Sequence, residues 1–147
     1  MGNEKLIEEI LINNEKVIHH NKGNIFHILK KNQEGYHGFG EVYFSKIKFN
    51  NIKAWKKHYE MICNFVVVHG IIKIVVFDNR DKSKTKNLFN EFVLSKDNYC
   101  RLTIPAGLWY GFKGVEECDN ILLNFSNIKH NPAEQVSQEI NLITYKW

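Results

Sequence analysis

The stretch Ile52–Gly70, IKAWKKHYEMICNFVVVHG, places one histidine, His58, where a polar segment gives way to an apolar strand and then a glycine turn. Histidine titrates near neutral pH and is a natural general base. Of the seven histidines, His19, His20, His27, His37 and His69 read as surface or structural, and His58 stands out by position. A second stretch, Leu102–Lys113, LTIPAGLWYGFK, has an apolar strand that breaks at Ile-Pro-Ala-Gly and resumes as the aromatic cluster Trp109, Tyr110 and Phe112. Pro105 and Gly107 suit a tight turn between strands. Small β-barrels that carry a catalytic metal supply histidines two apart in their first half and another after the Pro-x-Gly turn. Here those places hold Lys56 and Tyr110. An ammonium group and an unactivated phenol are poor ligands for a first-row metal. The expected site therefore has no metal, and its expected chemistry is proton transfer in a dry cavity with His58 at the lip.

Such a cavity needs strands around it. The chain has 147 residues, 44% apolar and 24% charged, which suits one globular domain spanning 1–147. Ten Phe, six Tyr and three Trp suit β-strands, first as a packed core and second as a sugar- or base-stacking wall. The net charge of +4 is mild and compatible with an anionic substrate such as a nucleoside diphosphate. No basic tail or RNA-binding motif is present, so nucleic acid is not an expected partner. Cys63, Cys100 and Cys118 are odd in number and form no C-x-x-C, which reads as reduced structural thiols in a cytoplasmic protein. Met-Gly-Asn-Glu-Lys opens no signal-peptide core, and no apolar run reaches the about 18 residues of a membrane span.

Residues 4–12, EKLIEEILI, suit a short amphipathic helix or a first strand, and a turn at Asn13-Asn14 favours the strand. Ile25, Phe26, Ile28 and Leu29 suggest a buried strand, and Glu34–Gly40 a glycine-rich loop. Glu41–Phe49, EVYFSKIKF, alternates as a strand with a slip near Ser45 that predicts a bulge, and Asn50-Asn51 predicts a hairpin turn. Strands follow at Asn64–Val68, Ile71–Phe77, Phe89–Leu94, Tyr99–Ile104, Trp109–Lys113 and Asn120–Phe125, before a tail from His130 to Trp147. Many short strands spaced by turns predict an all-β protein, a cupin or jelly-roll barrel of two sheets with little helix.

In order, FGEVYFS, IKAWKKHYEM, VVFDNRDKSKT, DNYCRLTIPAGLWYGFKG and HNPAEQ…INLITYKW resemble the dTDP-4-dehydrorhamnose 3,5-epimerase family, from about Gly23 to Trp147. These are metal-free, cofactor-free cupin epimerases of nucleotide-linked 4-keto sugars. The resemblance implies that His58, after Lys53-Ala54-Trp55, removes a proton next to the 4-keto group. It implies that Tyr110 or His130 returns one to the opposite face, His130 standing where the family has a tyrosine. Glu139 and Asn141 are the nearest candidates for the acid that pairs with the base. Lys53, Lys56 and Arg80 would meet the enolate or diphosphate. Glu41 and Ser45 would line the pocket, Trp109, Tyr110 and Phe112 would form its aromatic wall, and Trp55 would also bind substrate. The implied reaction inverts C3, C5 or both in a nucleoside-diphosphate-4-keto sugar, a 6-deoxyhexose or heptose, for surface polysaccharide such as capsule or lipopolysaccharide. A 3,4-ketoisomerase and a non-catalytic sugar-nucleotide-binding barrel are the alternatives. The family habit of pairing sheets, with residues 1–22 as an arm, implies a homodimer.

Overall fold

The computed structural model describes residues 4–147. Its strands are β1 (Leu11–Asn14), β2 (Val17–Ile18), β3 (Ile25–Phe26), β4 (Glu41–Ile47), β5 (Ile52–His58) and β6 (Cys63–His69), then β7 (Ile71–Phe77), β8 (Phe89–Ser95), β9 (Cys100–Ile104), β10 (Trp109–Gly114), β11 (Asn120–Ser126) and β12 (Gln135–Ser137). Two antiparallel five-stranded sheets result, in the orders β1-β9-β6-β11-β4 and β12-β5-β10-β7-β8, and β2 and β3 form a separate ribbon. This is the expected two-sheet jelly roll. Only two single-turn 3-10 segments, Pro132–Glu134 and Ile140–Leu142, are helical among the described residues.

Apolar alternation explains the inner layer. Phe65, Val67, Leu102, Ile104 and Leu122 from the first sheet meet Ile72, Ile74, Val76, Leu94, Tyr110 and Phe112 from the second. The intervening residues Val66 and Val75 are also buried, so β6 and β7 read as continuous apolar runs rather than as half-buried strands. On the second sheet the reason is the tail. Trp55, Val75, Trp109 and Ile143 form an outer cluster against Phe77, Phe89, Tyr145 and Trp147. Gly111 makes that cover possible, because a Cβ there would stand 2.6 Å from the Ala54 side chain and 2.8 Å from the Trp147 ring. On the first sheet the outward Arg101 is fully buried under the glycine-rich loop. It donates to Glu15 at 2.8 Å, Asn64 at 2.7 Å, Thr103 at 2.8 Å and the Glu34 carbonyl at 2.9 Å.

Several local expectations are corrected. Residues 4–10 are not a strand: the chain turns at Glu8–Glu9, with Ile7 and Ile10 buried on either side. Asn13 and Asn14 lie within β1 and form no turn. Ile25 is 58% exposed and its strand is two residues long, because it pairs only with β2 outside the core. No bulge interrupts β4, whose register against β11 runs unbroken from Glu41↔Ser126 to Ile47↔Asn120. Asn50-Asn51 is a corner rather than a hairpin, since β4 and β5 belong to different sheets. The polar stretch before His58 is itself a strand, β5. Residues 1–3 of the expected arm lie outside the described residues, while β1 pairs with β9 of its own chain.

Candidate active site

His58 is the last residue of β5 and is 4% exposed. Its place is fixed from two sides. Its carbonyl accepts from the Gly107 N–H at 2.7 Å, so the Pro-Ala-Gly turn, with Gly107 at φ 88°, docks on the strand end that carries the imidazole. Its other flank pairs with Gln135 of β12.

The acid partner is Glu134. Neither Glu139 nor Asn141 takes that part; both are exposed. The correction has a local cause. Asn131 caps a 3-10 turn by accepting from the Ala133 N–H at 3.0 Å, and Pro132 fits the first turn position. The turn delivers Glu134 next to β5 just before β12 begins. Glu134 Oε1 lies 2.5 Å from His58 Nδ1, while Oε2 accepts from the N–H groups of Met61 at 3.1 Å and Glu60 at 3.3 Å. The readable signal was Asn-Pro-x-Glu, a capped turn bearing an acid.

His58 Nε2 and the Tyr110 hydroxyl are 2.9 Å apart, and their rings lie 23° from parallel. Burial pushes the His58 pKa below its ordinary value and outweighs the raising effect of Glu134. Burial alone would raise Glu134, but its bonds from His58 and Met61 hold it below the ordinary carboxylate value. Burial, first of all, also raises the Tyr110 phenol well above its usual range. At neutral pH these directions give a neutral imidazole that donates Nδ1–H to an ionised Glu134 and accepts the Tyr110 proton at Nε2.

The imidazole opens onto a cavity of about 640 Å³ between the two sheets, a size suited to a small-molecule substrate. Glu41 and Ser45 of β4, Lys53, Ala54, Trp55 and Lys56 of β5, Tyr110 and Phe112 of β10, and His130 all line it. Lys53 Nζ donates to Ser45 Oγ at 3.0 Å, tying β5 to β4 across the corner. The alternation of β4 is the reverse of a core strand. Glu41, Tyr43 and Ser45 face the cavity, whereas Val42 and Phe44 face out and are exposed. Tyr43 and Asn124 are cavity residues that sequence reasoning missed, because nothing in β4 alone says that its polar face is the inner one. Among the described residues no three His, Cys, Asp or Glu side chains come together as a metal-binding group.

Two expected residues, Trp109 and Arg80, lie elsewhere, and Trp55 borders the cavity while its ring turns away. The Trp55 ring packs on the outer face of the second sheet, 5.1 Å from Trp147, and its Nε1 donates to the Ile140 carbonyl at 3.3 Å. Trp109 alternates with Tyr110 and so joins Trp55 outside, under the Lys57 ammonium at 4.7 Å. Arg80 is paired with Asp78 at 3.0 Å and Glu9 at 2.9 Å, a staple from the N-terminal segment to the β7–β8 connection.

No protein-family model matches the chain. A dTDP sugar isomerase from Desulfovibrio desulfuricans has the same structure at a TM-score of 0.92. It is 30% identical, over 98% of this chain and 95% of that one. A probable low-salt glycan biosynthesis epimerase of Haloferax volcanii is 26% identical over 121 residues, 81% of this chain and 78% of its own. A dTDP-4-dehydrorhamnose 3,5-epimerase from Sulfolobus tokodaii shares the fold at a TM-score of 0.84 and 21% identity, over 97% of this chain and 84% of that one.

Proposed function

The chain belongs to the dTDP-4-dehydrorhamnose 3,5-epimerase family of nucleotide-sugar isomerases and epimerases, and on that premise we propose that His58 and Glu134 epimerise a nucleoside-diphosphate-4-keto sugar at C3, C5 or both. The observation that carries this reading is the buried His58–Glu134 pair at 2.5 Å, opening onto the about 640 Å³ cavity. Glu134 holds Nδ1–H, which leaves the Nε2 lone pair as the basic site. A ketone at C4 acidifies the neighbouring C–H bonds. Nε2 takes that proton, the C–H electron pair becomes a carbon–carbon π bond, and the carbonyl pair moves onto oxygen. Tyr110 aids the step: its O–H turns from Nε2 to the enolate oxygen as the ring is protonated.

Lys53 and Lys56 supply positive charge for the enolate or the diphosphate, and Glu41, Ser45 and Phe112 shape the sugar pocket, with His130 at its edge. Arg80 and Trp109 have no part in this, and Trp55 borders the pocket with its ring packed on the outer face. A dTDP-linked 6-deoxyhexose fits the likeness to the dTDP sugar isomerase and the dTDP-4-dehydrorhamnose 3,5-epimerase, and a glycan or surface polysaccharide is the destination of the product. The free thiols Cys63, Cys100 and Cys118 fit a reducing cytoplasm. The protein pairs as a homodimer through the first sheet, where the edge strand β4 exposes Val42 and Phe44 beside Phe39.

The test is deuterium wash-in from heavy water at C3 or C5 of a dTDP-4-keto-6-deoxyhexose, followed by NMR. The wild type incorporates deuterium and inverts a centre, and His58→Asn does neither. Absence of exchange in the wild type, or unchanged exchange in His58→Asn, overturns the reading. A displaced carbonyl instead of an inverted centre assigns the ketoisomerase reaction.

A further inference from the structure

Epimerisation needs an acid on the side of the substrate opposite the base, and on the reading above that base is His58. Tyr110 does not meet the requirement. It stands on β10, the neighbour of β5 in the same sheet, and its hydroxyl is engaged with His58 Nε2. His130 lies two residues before the turn whose Glu134 holds His58 Nδ1. Both are thus neighbours of the base or of its carboxylate.

The facing sheet brings one phenol to the cavity among the described residues, Tyr43 of β4. The residue is 41% exposed, but its hydroxyl accepts from Asn124 Nδ2 at 3.0 Å. Asn124 is fully buried on β11, lines the same cavity, and its Oδ1 has no hydrogen-bond partner. A hydroxyl that accepts from Asn124 keeps its own hydrogen for another acceptor. The same Asn124 N–H group would hold the phenolate after that hydrogen leaves. Burial raises the Tyr43 pKa in spite of the Asn124 bond, so the group is protonated at neutral pH.

We infer that Tyr43 is the second catalytic residue, donating its phenolic proton to the enolate carbon on the face turned away from His58, with Asn124 positioning it. In this step the enolate oxygen pair re-forms the C4 carbonyl, the carbon–carbon π pair takes the Tyr43 proton as a new C–H bond, and the Tyr43 O–H bond breaks to leave phenolate. Solvent resets the pair: the His58 imidazolium releases its proton to water, and the part-exposed Tyr43 regains one. The arrangement differs from that implied by the sequence resemblance, in which the second acid lies at position 110 or 130.

The experiment separates proton removal from inversion in heavy water, with a dTDP-4-keto-6-deoxyhexose as probe. Tyr43→Phe is expected to keep deuterium entry at the original centre within about 5-fold while inverted product falls about 100-fold or more. Tyr110→Phe is expected to slow deuterium entry and inversion together. Asn124→Leu is expected to slow inversion more than exchange, and a Tyr43→Phe Asn124→Leu double variant to invert no more slowly than Tyr43→Phe alone. Inversion by Tyr43→Phe within about 3-fold of wild type overturns the assignment, as does loss of exchange and inversion in equal proportion. Those results would leave the His58 reading standing. A wild type that neither exchanges nor inverts, or that moves the carbonyl instead, overturns both.

Discussion

The backbone N–H of Met61 donates to Glu134 Oε2 at 3.1 Å, so the segment that follows His58 in the chain returns to hold the carboxylate that orients it. Glu134→Gln keeps an acceptor for that bond but removes the charge that stabilises a protonated His58. Deuterium exchange should fall about 100-fold or more with little loss of fold, as seen by unchanged circular dichroism. Unaltered exchange would show that Glu134 is only a structural clamp.

The pH profile follows from the two shifts. His58 must be neutral to accept a proton, and burial holds its pKa below the ordinary value of about 6.5. The acid limb of kcat/KM should therefore lie below about pH 6.5. Glu134 raises His58, so Glu134→Gln should move the limb further to acid. Stability has the same sign. Between the folded pKa of His58 and about 6.5 the unfolded chain binds the extra proton, so stability falls as pH drops through that window. Glu134, depressed when folded, contributes stability above its unfolded pKa and loses it as pH falls through the folded value. Urea midpoints between pH 8 and pH 4 would check this; a midpoint that rises toward acid would contradict it.

Arg101→Met should destabilise strongly. The guanidinium is wholly buried with Glu15, Asn64 and Thr103, and its removal strands a carboxylate that is itself 2% exposed. The cost should be about 3–5 kcal/mol, read from urea unfolding. Arg101→Met Glu15→Leu should recover part of it.

The architecture was legible in the sequence where packing is two-sided. The strands from Asn64 to Phe125 are apolar enough for their ends to be placed within a residue or two. It was illegible where local pattern and tertiary context conflict. In β4 the polar residues face the cavity and the apolar ones face out, so alternation located the strand but not its inner side, and Tyr43 escaped notice. His58, Tyr110 and His130 were readable by position, and the structure brings them to one cavity. Glu134 was hidden because its partnership depends on β12 pairing with β5, a contact across 76 positions. Trp109 was misplaced, and the Trp55 ring turned from the cavity that its residue borders, because a tryptophan beside a site residue on a strand points to the other face.

Trp109→Ala tests that last point. The ring is 3% exposed in the outer cluster. Its loss should cost about 3–5 kcal/mol in stability, while KM stays within about 2-fold at a temperature where the variant is folded. A large rise in KM without loss of stability would return Trp109 to the substrate pocket.

Phe44→Glu tests the homodimer. Phe44 is 66% exposed on the outer side of β4. A carboxylate there should leave the folded chain intact and shift sedimentation at micromolar concentration from dimer to monomer. A wild type that sediments as a monomer removes the proposal.

The three rungs that join Gln135, Val136 and Ser137 to His58, Lys57 and Lys56 have a consequence for biosynthesis. A nascent chain emerging from the ribosome acquires its base, its facing phenol and strands β1 to β11 before Glu134 leaves the exit tunnel. Until then the imidazole has no carboxylate, and Trp147 has not yet sealed the outer tryptophans. A translational stall or a proteolytic nick before Pro132 would thus remove, with about a tenth of the chain, both the carboxylate of the base and the cover of the outer tryptophans.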